Sequence, residues 1–122
     1  MTRRVLLIED EANIAEAIRF LLARDGYQVH LRHDGREALA AVAELAPDLV
    51  ILDLMLPGLS GLEILTSLRA DAATLALPVL MLTAKGQGRD REAAERAGAS
   101  AFMAKPFDNT EMRAAVRALI GG

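Results

Sequence analysis

Four short, continuous apolar runs constrain the fold of this 122-residue chain most strongly. They lie at residues 5–8, 49–52, 79–82 and 102–104, and each run is too short to be a helix. Apolar residues that follow one another without alternation are typical of strands buried on both faces. A fifth run, at residues 28–32, alternates apolar and polar residues. We therefore expect an edge strand there, with one face exposed to solvent.

The segments between these runs have the periodicity and the end signals of helices. Apolar residues share one helical face between Ile14 and Leu22, and again between Met112 and Leu119. Gly26 and Gly98 fall where helices would end. Three predicted helices begin with a hydrogen-bond acceptor followed three positions later by glutamate: Asp34 with Glu37, Ser60 with Glu63, and Asp108 with Glu111. The pattern is strand–helix repeated five times, which predicts a doubly wound α/β fold, a parallel sheet with helices on both faces.

The fourth predicted helix differs from the others in its apolar residues. Between about Arg89 and Ala97 only alanines, at positions 93, 94 and 97, are available to pack on the sheet. Alanine side chains bury little apolar area. We therefore expect this helix to be held more weakly than its neighbours, and to be the element that moves in any switch.

Composition excludes several classes of function. The chain is 52% hydrophobic and 25% charged, so we expect one globular domain covering residues 1–122. A formal net charge of −3 argues against nucleic-acid binding by this domain itself. The absence of cysteine excludes disulfides, thiol catalysis and zinc–thiolate sites. No apolar stretch is long enough for a secretory signal or a bilayer span, which predicts a cytoplasmic protein.

Reactive side chains follow the buried runs directly. Glu9 and Asp10 follow the first run, Asp53 the second, Thr83 the third and Lys105 the last. Ligands in open α/β sheets bind at the carboxyl ends of the strands, so we expect these side chains to converge. Any one of them alone is more simply interpreted as a helix cap or a surface charge. Three crowded carboxylates, however, raise one another's pKa values and favour a bound cation, and oxygen ligands of this kind suit Mg²⁺.

These residues resemble the motifs of a known family, the receiver domains of bacterial two-component response regulators. The resemblance covers essentially the whole chain. It rests on Glu9-Asp10, on the segment Asp53 to Gly61, on Leu82-Thr83-Ala84-Lys85 and on Lys105-Pro106-Phe107. It implies the flavodoxin-like receiver fold, with five helices and strand order 2-1-3-4-5. The likeness is greatest to the subfamily in which a winged-helix DNA-binding domain follows the receiver.

The resemblance also implies a role for each matching residue. Asp53 would accept the phosphoryl group, and Thr83 and Lys105 would contact it. Mg²⁺ would be bound by Glu9, Asp10, Asp53 and the backbone carbonyl of Met55. Thr83 and Phe102 would form a switch that changes the surface of the fourth helix, fifth strand and fifth helix. Such a domain is not an enzyme acting on other molecules, because it catalyses only its own phosphorylation and dephosphorylation.

The family further implies partners for this chain. The phosphoryl donor would be a sensor histidine kinase or a phosphotransfer protein, and a DNA-binding output domain could follow outside this chain. Ser100 and Ala101 stand where the winged-helix subfamily usually has two aspartates that support its dimer. We therefore expect a monomer or a weak, phosphorylation-dependent dimer. Met55 and Lys85 are the residues best placed to guide or block water at the phosphorylated aspartate.

Two other classes of function remain as alternatives. A phosphohydrolase of the haloacid-dehalogenase type also uses an aspartate at a strand end together with Mg²⁺. That family needs a second acid two residues after the nucleophile, where this chain has Met55. A receiver-like module that only binds partners is the other alternative, but all the expected reactive residues are present. Neither of the glycine-rich nucleotide-binding motifs occurs.

Overall fold

The strands expected from the apolar runs form one five-stranded parallel sheet. The computed structural model describes residues 2–84 and 88–121 of the chain. The strands are β1 (Arg4–Ile8), β2 (Gln28–Arg32), β3 (Leu49–Asp53), β4 (Val79–Ala84) and β5 (Ala101–Lys105). The helices are α1 (Ala12–Arg24), α2 (Ala38–Leu45), α3 (Gly61–Ala70), α4 (Gly88–Ala97) and α5 (Asn109–Ile120). Neighbouring strands are all parallel, in the order β2-β1-β3-β4-β5, so the predicted fold class and strand order are confirmed.

Each central strand contributes side chains to two separate cores, one on either face of the sheet. In β1, Leu6 and Ile8 pack in the core beneath α2, α3 and α4. The alternate residues of the same strand, Val5 and Leu7, pack in the core beneath α1 and α5. All four side chains are fully buried. The uninterrupted apolar runs are therefore explained by helices covering both faces of the sheet.

Two of the three predicted helix caps have the expected geometry, and one is wrong in its position. Ser60 accepts a hydrogen bond from the Glu63 N–H, and the Glu63 side chain accepts one from the Ser60 N–H. Asp108 accepts from the Glu111 N–H at 2.7 Å. Asp34 instead accepts from the Arg36 N–H, because a short 3-10 turn at Gly35–Glu37 precedes α2. Gly26 and Gly98 end α1 and α4 with φ angles of +93° and +102°, as predicted.

The edge strand β2 is less exposed than its alternating pattern indicated. The four residues from Val29 to Arg32 are all half-buried, so the expected solvent-exposed face is partly covered. His30 Nε2 is buried and has no hydrogen-bond partner among the described residues. His30 is therefore not an ordinary surface residue, although it lies in the edge strand.

The fourth helix packs through the alanines that the sequence predicted to face the sheet. Ala94 is the buried residue of α4, and Ala93 and Ala97 are half-buried. Within residues 2–84 and 88–121, no helix is long and apolar enough to cross a membrane.

Candidate functional site

The parallel register brings the three predicted acids to one edge of the sheet. Ile8 of β1 lies beside Leu52 of β3, so the residues that follow them, Glu9 and Asp53, are neighbours. Carboxylate oxygens of Glu9, Asp10 and Asp53 all lie within 4.8 Å of one another. Residues that are far apart in the sequence are thus placed together by the pairing of β1 with β3.

The three acids differ in how much solvent they meet. Glu9 is fully buried, at 0% exposure, and Asp53 is 4% exposed. Asp10 is exposed at the mouth of the cluster. The Glu9 carboxylate also accepts a hydrogen bond from the Glu11 N–H at 3.1 Å, so its own loop fixes its orientation. Two buried carboxylates with a third at the surface form a site that is open to solvent on one side.

Lys105 lies between the two buried carboxylates. Its Nζ is 2.9 Å from Glu9 Oε1 and 3.0 Å from Asp53 Oδ2. The lysine is the last residue of β5, and its side chain is 21% exposed. The Lys105–Pro106 peptide bond that follows is cis. The ammonium therefore bridges the acid that follows β1 and the acid that ends β3, although the lysine itself belongs to the edge strand β5.

The electrostatics of the cluster favour additional positive charge. The pKa of the Glu9 carboxyl is raised to about 7, by burial first and by the neighbouring Asp53 second, and Lys105 lowers it only in part. Burial lowers the pKa of Lys105, but its hydrogen bonds to Glu9 and Asp53 outweigh burial, so that pKa is raised overall. One ammonium does not fully compensate the carboxylates here. A divalent cation bound beside Glu9 would favour the ionised form of its carboxyl group.

The remaining predicted residues lie around this cluster. Thr83, in β4, is 4% exposed and directly follows Leu82, the register partner of Asp53. The Met55 N–H donates to Asp53 Oδ1 at 3.3 Å, whereas the Met55 side chain is 72% exposed. Lys85, the second residue expected to control water, lies outside the described residues.

The donor atoms of the cluster fit a magnesium ion. Mg²⁺ binds carboxylate and carbonyl oxygens, keeps several waters, and so needs a site that is open on one side. Exposed Asp10 and buried Asp53 offer oxygens of this type within the 4.8 Å cluster. No nitrogen or sulfur ligand that would favour a transition metal takes part in it, among the residues that the structure describes.

The predicted switch residue, Phe102, has a partner that the sequence did not reveal. The guanidinium carbon of Arg91, in α4, lies 3.9 Å from the centroid of the Phe102 ring. This is the stacked geometry of a cation–π interaction. It joins α4 to β5 directly, beside the alanine contacts described above.

A second unforeseen contact involves His33, which directly follows the edge strand β2. His33 is exposed, but its Nδ1–H donates to the backbone carbonyl of Glu9, at 3.0 Å. The acceptor is a main-chain atom, so no pattern of side-chain types could have predicted this bond.

Comparison with known proteins decides the family. Residues 5–117 match the family model described as the response regulator receiver domain. The chain belongs to this family. It is 42% identical over 118 residues to the DNA-binding response regulator MtrA of Mycobacterium tuberculosis, covering 97% of this chain and 50% of that protein. It is 43% identical over 117 residues to the DNA-binding regulator RpaA of Synechocystis, covering 96% of this chain and 48% of that protein. The receiver chain thus spans about half the length of the curated relatives it matches.

Solved structures agree with this assignment. A structure from Chloroflexus aurantiacus has a TM-score of 0.96 at 33% identity, with 100% of both chains covered. The chemotaxis response regulator CheY4 of Vibrio cholerae has a TM-score of 0.91 at 27% identity, covering 98% of this chain and 99% of that chain. The chain is therefore a receiver domain of the kind found in two-component systems, whose members are phosphoacceptor switches and bind Mg²⁺ at an acidic pocket.

Proposed function

We propose that Asp53 of this receiver accepts a phosphoryl group from a sensor histidine kinase or a phosphotransfer protein. The observation that carries the proposal is the position of Lys105, within 3.0 Å of Asp53 and 2.9 Å of Glu9 at one edge of the sheet. A carboxylate held beside an ammonium and two further acids has both the nucleophile and the charges that phosphoryl transfer uses.

The reaction is a displacement at phosphorus. A carboxylate oxygen of Asp53 forms a bond to phosphorus while the bond from phosphorus to the donor imidazole nitrogen breaks. The imidazole leaves with that electron pair and takes a proton from solvent. Lys105 then lies beside the new phosphoryl oxygens and offsets their charge, and the Thr83 hydroxyl donates to one of them.

Mg²⁺ would be held by Glu9, directly or through water, by Asp10 and Asp53, and by the Met55 carbonyl oxygen. When bound, it neutralises charge on the carboxylates and on the incoming phosphoryl oxygens. Asp10 is the exposed member of the set and is suited to capture the ion from solvent. Glu9 is buried, and its carboxylate is held by the Glu11 N–H. It is therefore suited to fix the position of the bound ion rather than to capture the ion from solvent.

Phosphorylation would be reported to the surface by Thr83 and Phe102. Thr83 moves toward the phosphoryl group, and the Phe102 ring turns into the space that it leaves. The affected surface is formed by α4, β5 and α5. The small buried anchor of α4, Ala94 alone, supports this choice of moving element.

We assign residues 1–122 to one receiver domain that acts in the cytoplasm as a switch and turns over no substrate other than its own phosphoryl group. A DNA-binding output domain is proposed to follow it in the natural protein. Support comes from the curated relatives, which are DNA-binding regulators and of which this chain matches about half.

The first prediction is that Asp53→Asn abolishes phosphorylation. Incubation with acetyl phosphate and Mg²⁺ should add the mass of one phosphoryl group to the wild type and none to the variant, because an amide oxygen is not a nucleophile of the required strength. Intact-protein mass spectrometry measures this directly. Asp71→Asn, at the end of α3, is the matched control and should label normally, since an amide can still accept the Ala73 N–H bond. Full labelling of the Asp53 variant, or labelling of the wild type in excess EDTA, would contradict the assignment.

A further inference from the structure

The connector between β2 and α2, residues 33–37, supplies none of the proposed site residues. It nevertheless contacts both loops that do supply them. One is the loop after β1, which bears Glu9 and Asp10. The other is the phosphoacceptor loop, residues 54–60, which follows Asp53 and bears the Met55 carbonyl.

On the first side, the end of β2 and the start of the connector hold the backbone of Glu9 at both of its polar atoms. The Glu9 N–H donates to the Arg32 carbonyl at 3.0 Å. The Glu9 carbonyl accepts from His33 Nδ1, also at 3.0 Å. Both bonds are made to main-chain atoms. They fix the position of the Glu9 backbone and leave its carboxylate oxygens free of these two contacts.

On the second side, Gly35 lies against the main chain of the phosphoacceptor loop. Its N–H donates to the Pro57 carbonyl at 3.1 Å, and the residue is buried. A Cβ atom at this position would overlap the Leu59 carbonyl oxygen. This glycine is required by a close approach of two backbones, not by a left-handed φ angle.

The two segments also interlock through side chains. Arg36 forms a bidentate ion pair with Asp34, with the shortest N–O distance 2.7 Å. Both side chains lie against Gly58, whose φ of +80° places its backbone next to them; a Cβ there would be 2.5 Å from Asp34 Oδ1 and 2.7 Å from Arg36 Cγ. The phosphoacceptor loop therefore rests on the connector over several residues.

We propose that this connector sets the position of the phosphoacceptor loop, and with it the Met55 carbonyl, relative to the loop after β1, and that Gly35 and His33 are positioning residues for Mg²⁺ binding. The inference rests on the proposed function, since it takes Asp10, Asp53 and the Met55 carbonyl as ligands. Mg²⁺ demands near-ideal octahedral geometry, so a small displacement of one loop against the other weakens its binding.

Gly35→Ala is the main test, and Gly88→Ala is the matched control. The methyl group at position 35 forces the phosphoacceptor loop away, whereas no described atom lies within 4 Å of a Cβ at Gly88. Calorimetric titration with MgCl₂ should give a dissociation constant about tenfold larger for Gly35→Ala than for the wild type. This is the lower end of the loss of affinity seen when groups that orient metal ligands are disturbed. Gly88→Ala should match the wild type. His33→Ala, an exposed site where folding is not at issue, should weaken binding in the same direction but less.

A second measurement separates positioning from general damage. The rate of labelling by acetyl phosphate should need more Mg²⁺ in Gly35→Ala and return close to the wild-type rate once Mg²⁺ is saturating. The rise in melting temperature on adding Mg²⁺ should be reduced at a fixed, subsaturating concentration. If Gly35→Ala does not fold, the His33→Ala titration decides alone.

The proposal is overturned if the variants that fold bind Mg²⁺ as tightly as the wild type, or if Gly35→Ala loses its labelling rate at saturating Mg²⁺ with unchanged affinity. If the wild type binds Mg²⁺ and is labelled normally, and the variants bind Mg²⁺ equally well, this inference is wrong and the proposed function stands. A wild type and Gly88→Ala that bind no Mg²⁺ overturn the proposed metal site itself, and this inference with it.

Discussion

Lys105 is the residue whose contacts say most about how the site works. Its ammonium bridges Glu9 and Asp53, at 2.9 and 3.0 Å, from the end of β5. Phe102 lies earlier in the same strand. The strand that bears this ammonium therefore also bears the proposed switch residue.

The second prediction is that Lys105→Ala still binds Mg²⁺ but no longer couples phosphorylation to a change of conformation. The metal is held by oxygen ligands, and the lysine contributes a point charge that meets the phosphoryl group. Two-dimensional amide NMR with beryllofluoride should show shifts confined to the site in the variant, and shifts reaching α4 and β5 in the wild type. If beryllofluoride shifts the α4 resonances of the variant as much as those of the wild type, Lys105 has no part in coupling.

Met55 provides the third prediction, a slowly hydrolysed aspartyl phosphate. Its side chain is 72% exposed beside Asp53, and a thioether can neither orient nor activate water. Met55→Asn introduces an amide that can orient a water molecule, so it should accelerate phosphoryl loss severalfold. Intact mass measured over time after removal of acetyl phosphate follows the decay. Met55→Leu, apolar and of similar volume, should decay like the wild type. Equal rates for Met55→Asn and the wild type would show that this side chain does not control water.

Among the elements, α4 stands out because only one of its residues is buried. Ala94 is its buried residue, and Arg91 adds a stacking contact on Phe102 with 3.9 Å between guanidinium carbon and ring centroid. The helix and the switch residue therefore share one contact near the surface. A turn of the Phe102 ring toward the core would break that contact and release the first half of α4.

The fourth prediction follows from this contact. Arg91→Gln should raise the amide hydrogen-exchange rates of α4 in the unphosphorylated protein, because a cation–π contact at an exposed site contributes about 0.5–1 kcal/mol. Exchange mass spectrometry of peptides covering residues 88–97 measures it. Arg96→Gln, in the last turn of the same helix, removes a charge without touching the ring and is the control. Equal protection in Arg91→Gln and the wild type would mean that the stack does not hold α4.

The elements show which features the sequence could predict and which it could not. The buried strands were predictable because Val5, Leu7 and their alternates Leu6 and Ile8 must all be covered. The 3-10 turn before α2 was not, because Asp34 and Glu37 have the spacing of a cap in either structure. The Arg91–Phe102 contact depends on the side-chain conformations of two elements and has no signature in either segment.

At the scale of the whole molecule, two polar groups at or beside the surface of α4, β5 and α5 are paired within one copy. Ser100 Oγ accepts from the Val79 N–H at 3.0 Å, and from Arg69 at 3.4 Å. Arg113 of α5 pairs with Asp25 at 2.8 Å and, by that hydrogen bond, lowers the pKa of the aspartate. Groups that are already paired are less available for ion pairs with a second copy.

The fifth prediction is that the unphosphorylated domain is a monomer, or a weak dimer that salt dissociates. Exposed ion pairs contribute only about 0.2–1 kcal/mol each, and salt screens them. Sedimentation velocity at low and high salt, with and without beryllofluoride, measures the oligomeric state. Association should increase with beryllofluoride and decrease with salt. A tight dimer in both forms that is indifferent to salt would instead require an apolar interface.

The site residues were predictable for a reason that applies to the whole fold. Parallel strands all end at one edge, so the residues at the ends of the apolar runs, Asp53, Thr83 and Lys105, can be placed together from the sequence alone. The loops that orient these residues were not predictable, since the contacts of His33 and Gly35 with them are made to backbone atoms.

The bridge from Lys105 to Glu9 and Asp53 has a consequence for how the newly synthesised chain folds. Because Lys105 supplies one positive charge to these two buried acids, we expect the chain to fold before any metal ion is bound. Zinc fingers, by contrast, remain unstructured until loaded. At the proposed site, removal of Mg²⁺ would then stop phosphorylation while the core stays folded, and adding the ion back would restore phosphorylation.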